Sequence, residues 1–143
     1  MSLVSCNVFP QKDTNSEKQS CEDAIASVER QLQERQLTVG ISKKNNYNYP
    51  DHPKGRPDSY SFGIGGNTAA STISLDELLN SIATEIINSC DSISQVGFGV
   101  FQTDNLVNYG LMPNGKVEKF QCPADFAGYP SEREFKWGEF CSL

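Results

Sequence analysis

The residues best equipped for chemistry lie between Tyr47 and Pro57. Tyr47, Tyr49, Asp51, His52, Lys54 and Arg56 are set there among Pro50, Pro53 and Pro57. Prolines lower the entropy cost of presenting a rigid surface. Lys54 and Arg56 supply cationic donors for an anion, and the tyrosines supply contact area for a partner. The same stretch also reads as a stiff crossover whose charges face water. His52 is the one histidine of the chain, so a histidine-based metal site would draw its other ligands from carboxylates, and none is assigned. A cysteine–histidine nucleophile needs a free thiolate, which the cysteine pattern below leaves only at Cys6. Trp137, with Arg133 and Lys136 nearby, is a second candidate contact point. A cation–π pair and plain packing are its alternatives.

Nucleotide and hydrolase motifs do not hold up. Gly63-Ile64-Gly65 opens like a dinucleotide loop, but Thr68 stands where the third glycine belongs. Walker A, G-x-S-x-G, H-E-x-x-H and EF-hand patterns do not occur. No catalytic residue and no cofactor is therefore assigned.

The element that must position these residues is the helix read over Ser74–Cys90. Leu75, Leu78, Leu79, Ile82, Ala83, Ile86, Ile87 and Cys90 recur at helical spacing and predict one buried face. Ser74 and Glu77 have the spacing of a capping box, and Asp76 and Glu77 complement the positive end of the helix dipole. An earlier helix is predicted over Ser20–Gln36, with Ser20 as N-cap and a stripe of Cys21, Ala24, Ile25, Val28 and Leu32. Alternation predicts strands at Leu37–Ser42, Asp58–Ile64, Gln95–Phe101, Leu106–Met112 and Lys116–Cys122. A short helical turn falls near Ala69 and Ala70. Residues 43–57 carry too many prolines and asparagines for regular structure. Gly97 and Gly99 share one face of their strand, which suits close packing of an aromatic or a terminal segment. The aromatic tail from Pro123 to Leu143 is expected to wrap across the sheet.

The expected fold is thus α+β, in the order α-β-β-α-β-β-β. Two antiparallel helices cover one face of a four- or five-stranded, mostly antiparallel sheet. Residues 1–19 read as a flexible lead or tether, and 20–143 as one domain.

Charge and cysteines bound the setting. The 143 residues carry 18 acidic against 12 basic side chains, a net charge of −6. That balance opposes binding to nucleic acid or anionic lipid. No apolar run is long enough to span a bilayer. Five cysteines suggest pairs plus one left over. Cys21 starts one predicted helix and Cys90 ends the other, so antiparallel packing brings them together. Cys122 and Cys141 then pair, and Cys6 stands alone. The chain-entropy model gives about 4 kcal/mol for the longer loop and about 3 kcal/mol for the shorter. Two bridges place the protein in an oxidising compartment, whereas free thiols would place it in the cytosol. Leu3-Val4-Ser5-Cys6 matches the end of a bacterial lipoprotein signal, so a lipid anchor at Cys6 is one expectation. A chain trimmed of its export signal is the other.

Several segments carry a resemblance. They are Cys21-Glu-Asp-Ala-Ile, Tyr49-Pro-Asp-His-Pro-Lys-Gly-Arg-Pro57 and Thr84-Glu-Ile-Ile-Asn-Ser-Cys90. They continue with Phe98-Gly-Val-Phe-Gln-Thr-Asp104, Tyr109-Gly-Leu-Met-Pro-Asn-Gly115 and Trp137-Gly-Glu-Phe-Cys141. From about Cys21 to Cys141 the chain resembles small exported cyanobacterial domains of unknown function. The resemblance implies a signal-bearing precursor with four cysteines, and it transfers no activity.

The functional expectation is a non-enzymatic, disulfide-stabilised periplasmic or extracellular domain. It would bind a protein or envelope component through the 47–57 loop and nearby tail aromatics. The alternatives are a small hydrolase-like enzyme with an unrecognised cleft and a structural envelope lipoprotein held through Cys6.

Overall fold

A computed structural model of the chain describes residues 19–130 and 132–142. The expected lead over 1–19 lies outside the described residues except for Gln19, and Cys6 lies outside them altogether. Helix α1 spans Cys21–Gln33, and Ser20 caps it by accepting from the Asp23 N–H at 3.1 Å. It stops short of the expected Gln36, which adopts a left-handed backbone (φ 65°). The chain turns back there, and the Leu37 N–H donates to the Leu32 carbonyl.

The expected capping box at Ser74 and Glu77 does not form. A short helix α2, Ala69–Thr72, runs into a turn in which the Asp76 N–H donates to the Ser74 carbonyl. Helix α3 therefore starts only at Asp76 and runs to Ser89, with Leu75 as N-cap and no side-chain cap. Leu75, placed on the stripe by periodicity, is exposed in consequence. Asp76 accepts instead from the Lys119 ammonium at 3.1 Å and the Tyr109 hydroxyl at 3.3 Å.

Five strands follow the expected order: β1 Thr38–Asn45, β2 Asp58–Gly65, β3 Ile93–Val100, β4 Leu106–Leu111 and β5 Val117–Lys119. They lie side by side as β1-β2-β3-β4-β5. Every neighbouring pair is antiparallel except β2 and β3. That exception follows from the connection, because a crossover through α2 and α3 returns the chain in its original direction. Lys43, Lys44 and Asn45, assigned by composition to irregular structure, belong to β1. They pair with Tyr60, Ser59 and Asp58, and a partner strand outweighs weak local propensity. The fifth strand is shorter than expected, because Gln121 already bonds to Gly138 and Phe140 of the tail.

Both helices cover one face of the sheet. Phe62, Ile64, Val96, Phe98 and Tyr109 join Val28 and Leu32 of α1 and Leu79, Ile82 and Ile86 of α3 in one core. Each such side chain contributes about 1.5–3 kcal/mol through burial. The Cys21–Cys90 bridge ties the start of α1 to the end of α3, as expected for helices packed antiparallel. The second bridge joins Cys122 to Cys141 and holds the tail. The protein is a disulfide-stabilised α+β domain. Among the described residues, no helix is long and apolar enough to cross a membrane.

Candidate binding groove

Strand alternation sends one set of side chains to the helices and the other set to the opposite face. That second face is paved with small and amide residues. Ser59 pairs with Gln95, Ser61 with Gly97 and Gly63 with Gly99. Asn108 lies opposite Gly97, and Gly110 lies opposite Gln95. Gly40, Ser42 and Lys44 of β1 complete the floor on the far side of β2.

Two rims rise above this floor. At one end the Phe101 N–H donates to the Ile64 carbonyl, and the ring lies across Gly40, Gly63 and Gly65. A methyl group on Gly65 would sit 2.8 Å from that ring, and one on Gly63 would overlap it. The aromatic seat is therefore on β1 and β2. Gly97 and Gly99 make room instead for the cross-strand side chains of Asn108 and Leu106.

The tail builds the other rim. The Tyr129 hydroxyl donates to the Cys141 carbonyl at 2.6 Å, and the Ser142 hydroxyl to the Asp104 carbonyl at 2.8 Å. Arg133 spans Asp125 at 3.0 Å and Glu139 at 2.7 Å. Its hydrogen bonds hold both carboxyl groups below the usual carboxylate range. Phe126, Tyr129 and Phe135 pack edge to face or tilted.

Between the rims lie two adjoining hollows of about 560 Å³ and 500 Å³ that share Lys44, Ser61, Asn108 and Phe140. The first is lined by Phe101, Leu106 and the glycine floor. The second is lined by Asn45, Asn48, Tyr47, Ser59, Gln95, Tyr129, Glu134 and Phe135. Gln95 is 7% exposed, and its Nε2 donates to Asn108 Oδ1 at 2.9 Å. Its Oε1 is shielded from water and has no hydrogen-bond partner among the described residues. Leaving such a carbonyl unpaired costs about 1–3 kcal/mol.

The 47–57 loop divides by role. Tyr47 is 82% exposed and stands at the groove wall. Tyr49 is buried edge to face between Phe120 and Trp137, and its hydroxyl donates to the Glu139 carbonyl at 2.6 Å. Burial, joined by the nearby Tyr129, Glu139 and Asp51, pushes the Tyr49 pKa well above the ordinary tyrosine value. The Asp51 carboxylate accepts the Trp137 N–H through both oxygens, at 3.1 and 3.0 Å. His52 Nδ1 lies 2.9 Å from the Pro53 carbonyl. The Arg56 guanidinium reaches inward to the carbonyls of Ile87, Cys90 and Ile93. Lys54 is exposed and makes no hydrogen bond among the described residues. Trp137 packs over Gly110, and its indole N–H donates to the Leu111 carbonyl at 2.9 Å. Asp51 and His52 thus engage separate partners.

The groove residues Lys44, Ser59, Ser61, Gln95, Phe101, Asn108 and Phe140 were not candidates from sequence. The available signal was the serine and glycine set interleaved with Phe62, Ile64, Val96 and Phe98, which marks a face left without bulk. No protein-family model, no curated protein and no solved structure matches this chain.

Proposed function

We propose that the protein is a non-catalytic binding module, exported to an oxidising compartment, that holds a protein or envelope component in the helix-free groove. One observation carries this reading. Of the six large hydrophobic side chains exposed among the described residues, Tyr47, Phe101, Leu106 and Tyr129 line this groove, whereas Ile41, opposite Phe62, is turned to the helix side of β1 and Leu75 lies elsewhere. Isolated exposed apolar residues are ordinary on a surface, but their collection around one concavity marks a contact site. The lining combines amide, hydroxyl, aromatic and aliphatic side chains, with Lys44 and Glu134 as its charged residues among those described.

The compartment rests on the two bridges, since structural disulfides persist where the medium is oxidising. A lipid on Cys6, the fifth cysteine, would tether the domain to a membrane face, and without one the domain would be a free periplasmic or extracellular protein. The loop from Tyr47 to Pro57 contributes Tyr47 to the contact surface, and Lys54 stands apart from it.

Titration with the fluorescent probe ANS tests the groove. Native protein is expected to bind it with defined stoichiometry. Ser61→Trp, which fills the floor, is expected to abolish that binding, and Lys54→Ala to leave it unchanged. Binding insensitive to Ser61→Trp, in a variant of unchanged far-UV circular dichroism, would rule the groove out.

A further inference from the structure

The polar half of the groove has the complement of a sugar site. We infer that its occupant is a neutral glycan, an identification that rests on the groove being the binding site. Three observations lead there. First, the Gln95–Asn108 pair leaves one carbonyl without a donor, and the Asn108 amino group without an acceptor, among the described residues. Exchanging the two amide orientations leaves the same complement of one donor and one acceptor. A sugar hydroxyl donates and accepts at once, so it matches both.

Second, the Ser59 and Ser61 hydroxyls and the Asn48 amide line the same hollow and make no hydrogen bond among the described residues. These groups are neutral. They suit a ligand rich in hydroxyls better than a phosphate or carboxylate, for which clustered guanidinium groups would be expected. Third, Tyr47, Tyr129 and Phe135 border these groups. An aromatic wall beside amides accommodates the aliphatic face of a pyranose ring while its edge hydroxyls reach the polar side chains.

A peptide is the less suitable occupant. Extended peptides gain affinity by adding to a sheet edge, where main-chain groups are free. This groove lies on a sheet face, where the ladder already uses those groups. What remains is a set of side-chain donors and acceptors, the form in which a ring of hydroxyls is read. Two adjoining hollows with a shared border also suit a chain of sugars rather than a single ring.

The test is an amide-resolved NMR titration of the full chain with cellohexaose and chitohexaose, with glucose and N-acetylglucosamine as monomer controls and ANS as a groove reporter. The expected result is saturable shifts of Ser59, Ser61, Gln95 and Asn108 with at least one hexasaccharide. Tighter binding of the hexasaccharide than of its monomer identifies a polymer, and equal affinity identifies a terminal sugar. Asn108→Leu removes the amide and should weaken binding about 5- to 10-fold, the worth of one or two hydrogen bonds. Should Asn108→Leu fold poorly, Tyr47→Ala serves in its place. Tyr47 is almost wholly solvated, and its removal should weaken binding by about fivefold or more. Saccharides that leave these residues unshifted while ANS still shifts them would overturn the glycan and leave the groove standing. Shifts from a tyrosine-bearing peptide in place of saccharides would do the same. If ANS also leaves them unshifted, the binding groove falls as well.

Discussion

Arg56 offers the sharpest separation between a loop that presents charge and a loop that holds the fold. Its Nη1 lies 3.0 Å from the Ile87 carbonyl, 3.4 Å from that of Cys90 and 2.8 Å from that of Ile93. The first two are carbonyls at the C-terminal end of α3, where the dipole favours a cation, and the Cys90 carbonyl also accepts the Ile93 N–H at 3.0 Å. The third begins β3. Arg56→Ala removes all three bonds. Hydrogen bonds to a charged donor contribute about 1.5–3 kcal/mol each where buried, and partial solvent access reduces this. The 3.4 Å contact adds little, and the dipole adds about 0.3–1 kcal/mol. A loss of about 3 kcal/mol follows. At about 3–5 °C per kcal/mol for a chain of this size, Tm should fall by roughly 10–15 °C. Differential scanning calorimetry of Arg56→Ala, Arg56→Lys and Lys54→Ala would measure it. Arg56→Lys retains the charge and should recover part of the loss. Lys54→Ala should stay within about 2 °C of the native protein. An Arg56→Ala Tm within that same margin would refute the capping role and return Arg56 to the solvated surface.

Further perturbations probe the other contacts. Gly63→Ala places a methyl group in the Phe101 ring and should cost about 1–3 kcal/mol. In a Phe101→Ala background the same substitution should be close to neutral, and an additive double-mutant cycle would show that ring and glycine are not coupled. Arg133 lowers the Asp125 and Glu139 carboxyl pKa values, so its support of the tail is present above the unfolded carboxylate range and lost as pH falls through the lowered folded values. Acidification below about pH 4 should therefore lower the amide protection, relative to the intrinsic exchange rate at that pH, in the tail around Asp125 and Glu139, and Arg133→Ala should show that loss of protection already at neutral pH. Replacing Cys122 and Cys141 by serine should cost about 3 kcal/mol and open the tail to limited proteolysis, whereas peptide mapping of the oxidised protein should recover Cys21–Cys90 and Cys122–Cys141 as linked pairs.

Periodicity carried most of the fold. The stripe Leu79, Ile82, Ala83, Ile86, Ile87 and the alternation Tyr60, Phe62, Ile64 were legible because each element buries one face against the same core. From the helix stripes followed the Cys21–Cys90 pairing, since antiparallel packing of those stripes brings the two ends together. Local signals misled where long-range pairing decides the outcome. Lys43, Lys44 and Asn45 look like loop until β2 supplies partners, and the Ser74–Glu77 spacing looks like a cap until α2 is seen to feed straight into the turn before α3. The 47–57 loop was legible as irregular, but composition does not reveal that Arg56 reaches inward or that Asp51 is spent on the Trp137 N–H. The groove was illegible for a related reason. Its floor consists of residues from four strands, and its rim comes from the β3–β4 turn and the tail, so no single window contains it.

The distribution of bulk over the sheet argues that the open face is a working surface and not unfinished core. A sheet side that merely faces water is usually covered by long polar side chains, which solvate it and guard against association. Here β2 and β3 turn Ser59, Ser61, Gly63, Gly97 and Gly99 to this face, and Phe101 lies over Gly63, Asn108 over Gly97 and Leu106 over Gly99. Such a face carries few long solvating side chains of its own, and the exposed surface on it belongs to Tyr47, Phe101, Leu106 and Tyr129. The stabilising machinery is elsewhere: one bridge and both long helices are on the opposite side, and the second bridge fixes the tail that forms the rim. Stability and contact surface are therefore separable in this fold. Substitutions on the groove floor that add bulk, such as Ser61→Trp, should alter binding without reaching the core, whereas substitutions at Arg56 should alter the core without reaching the groove.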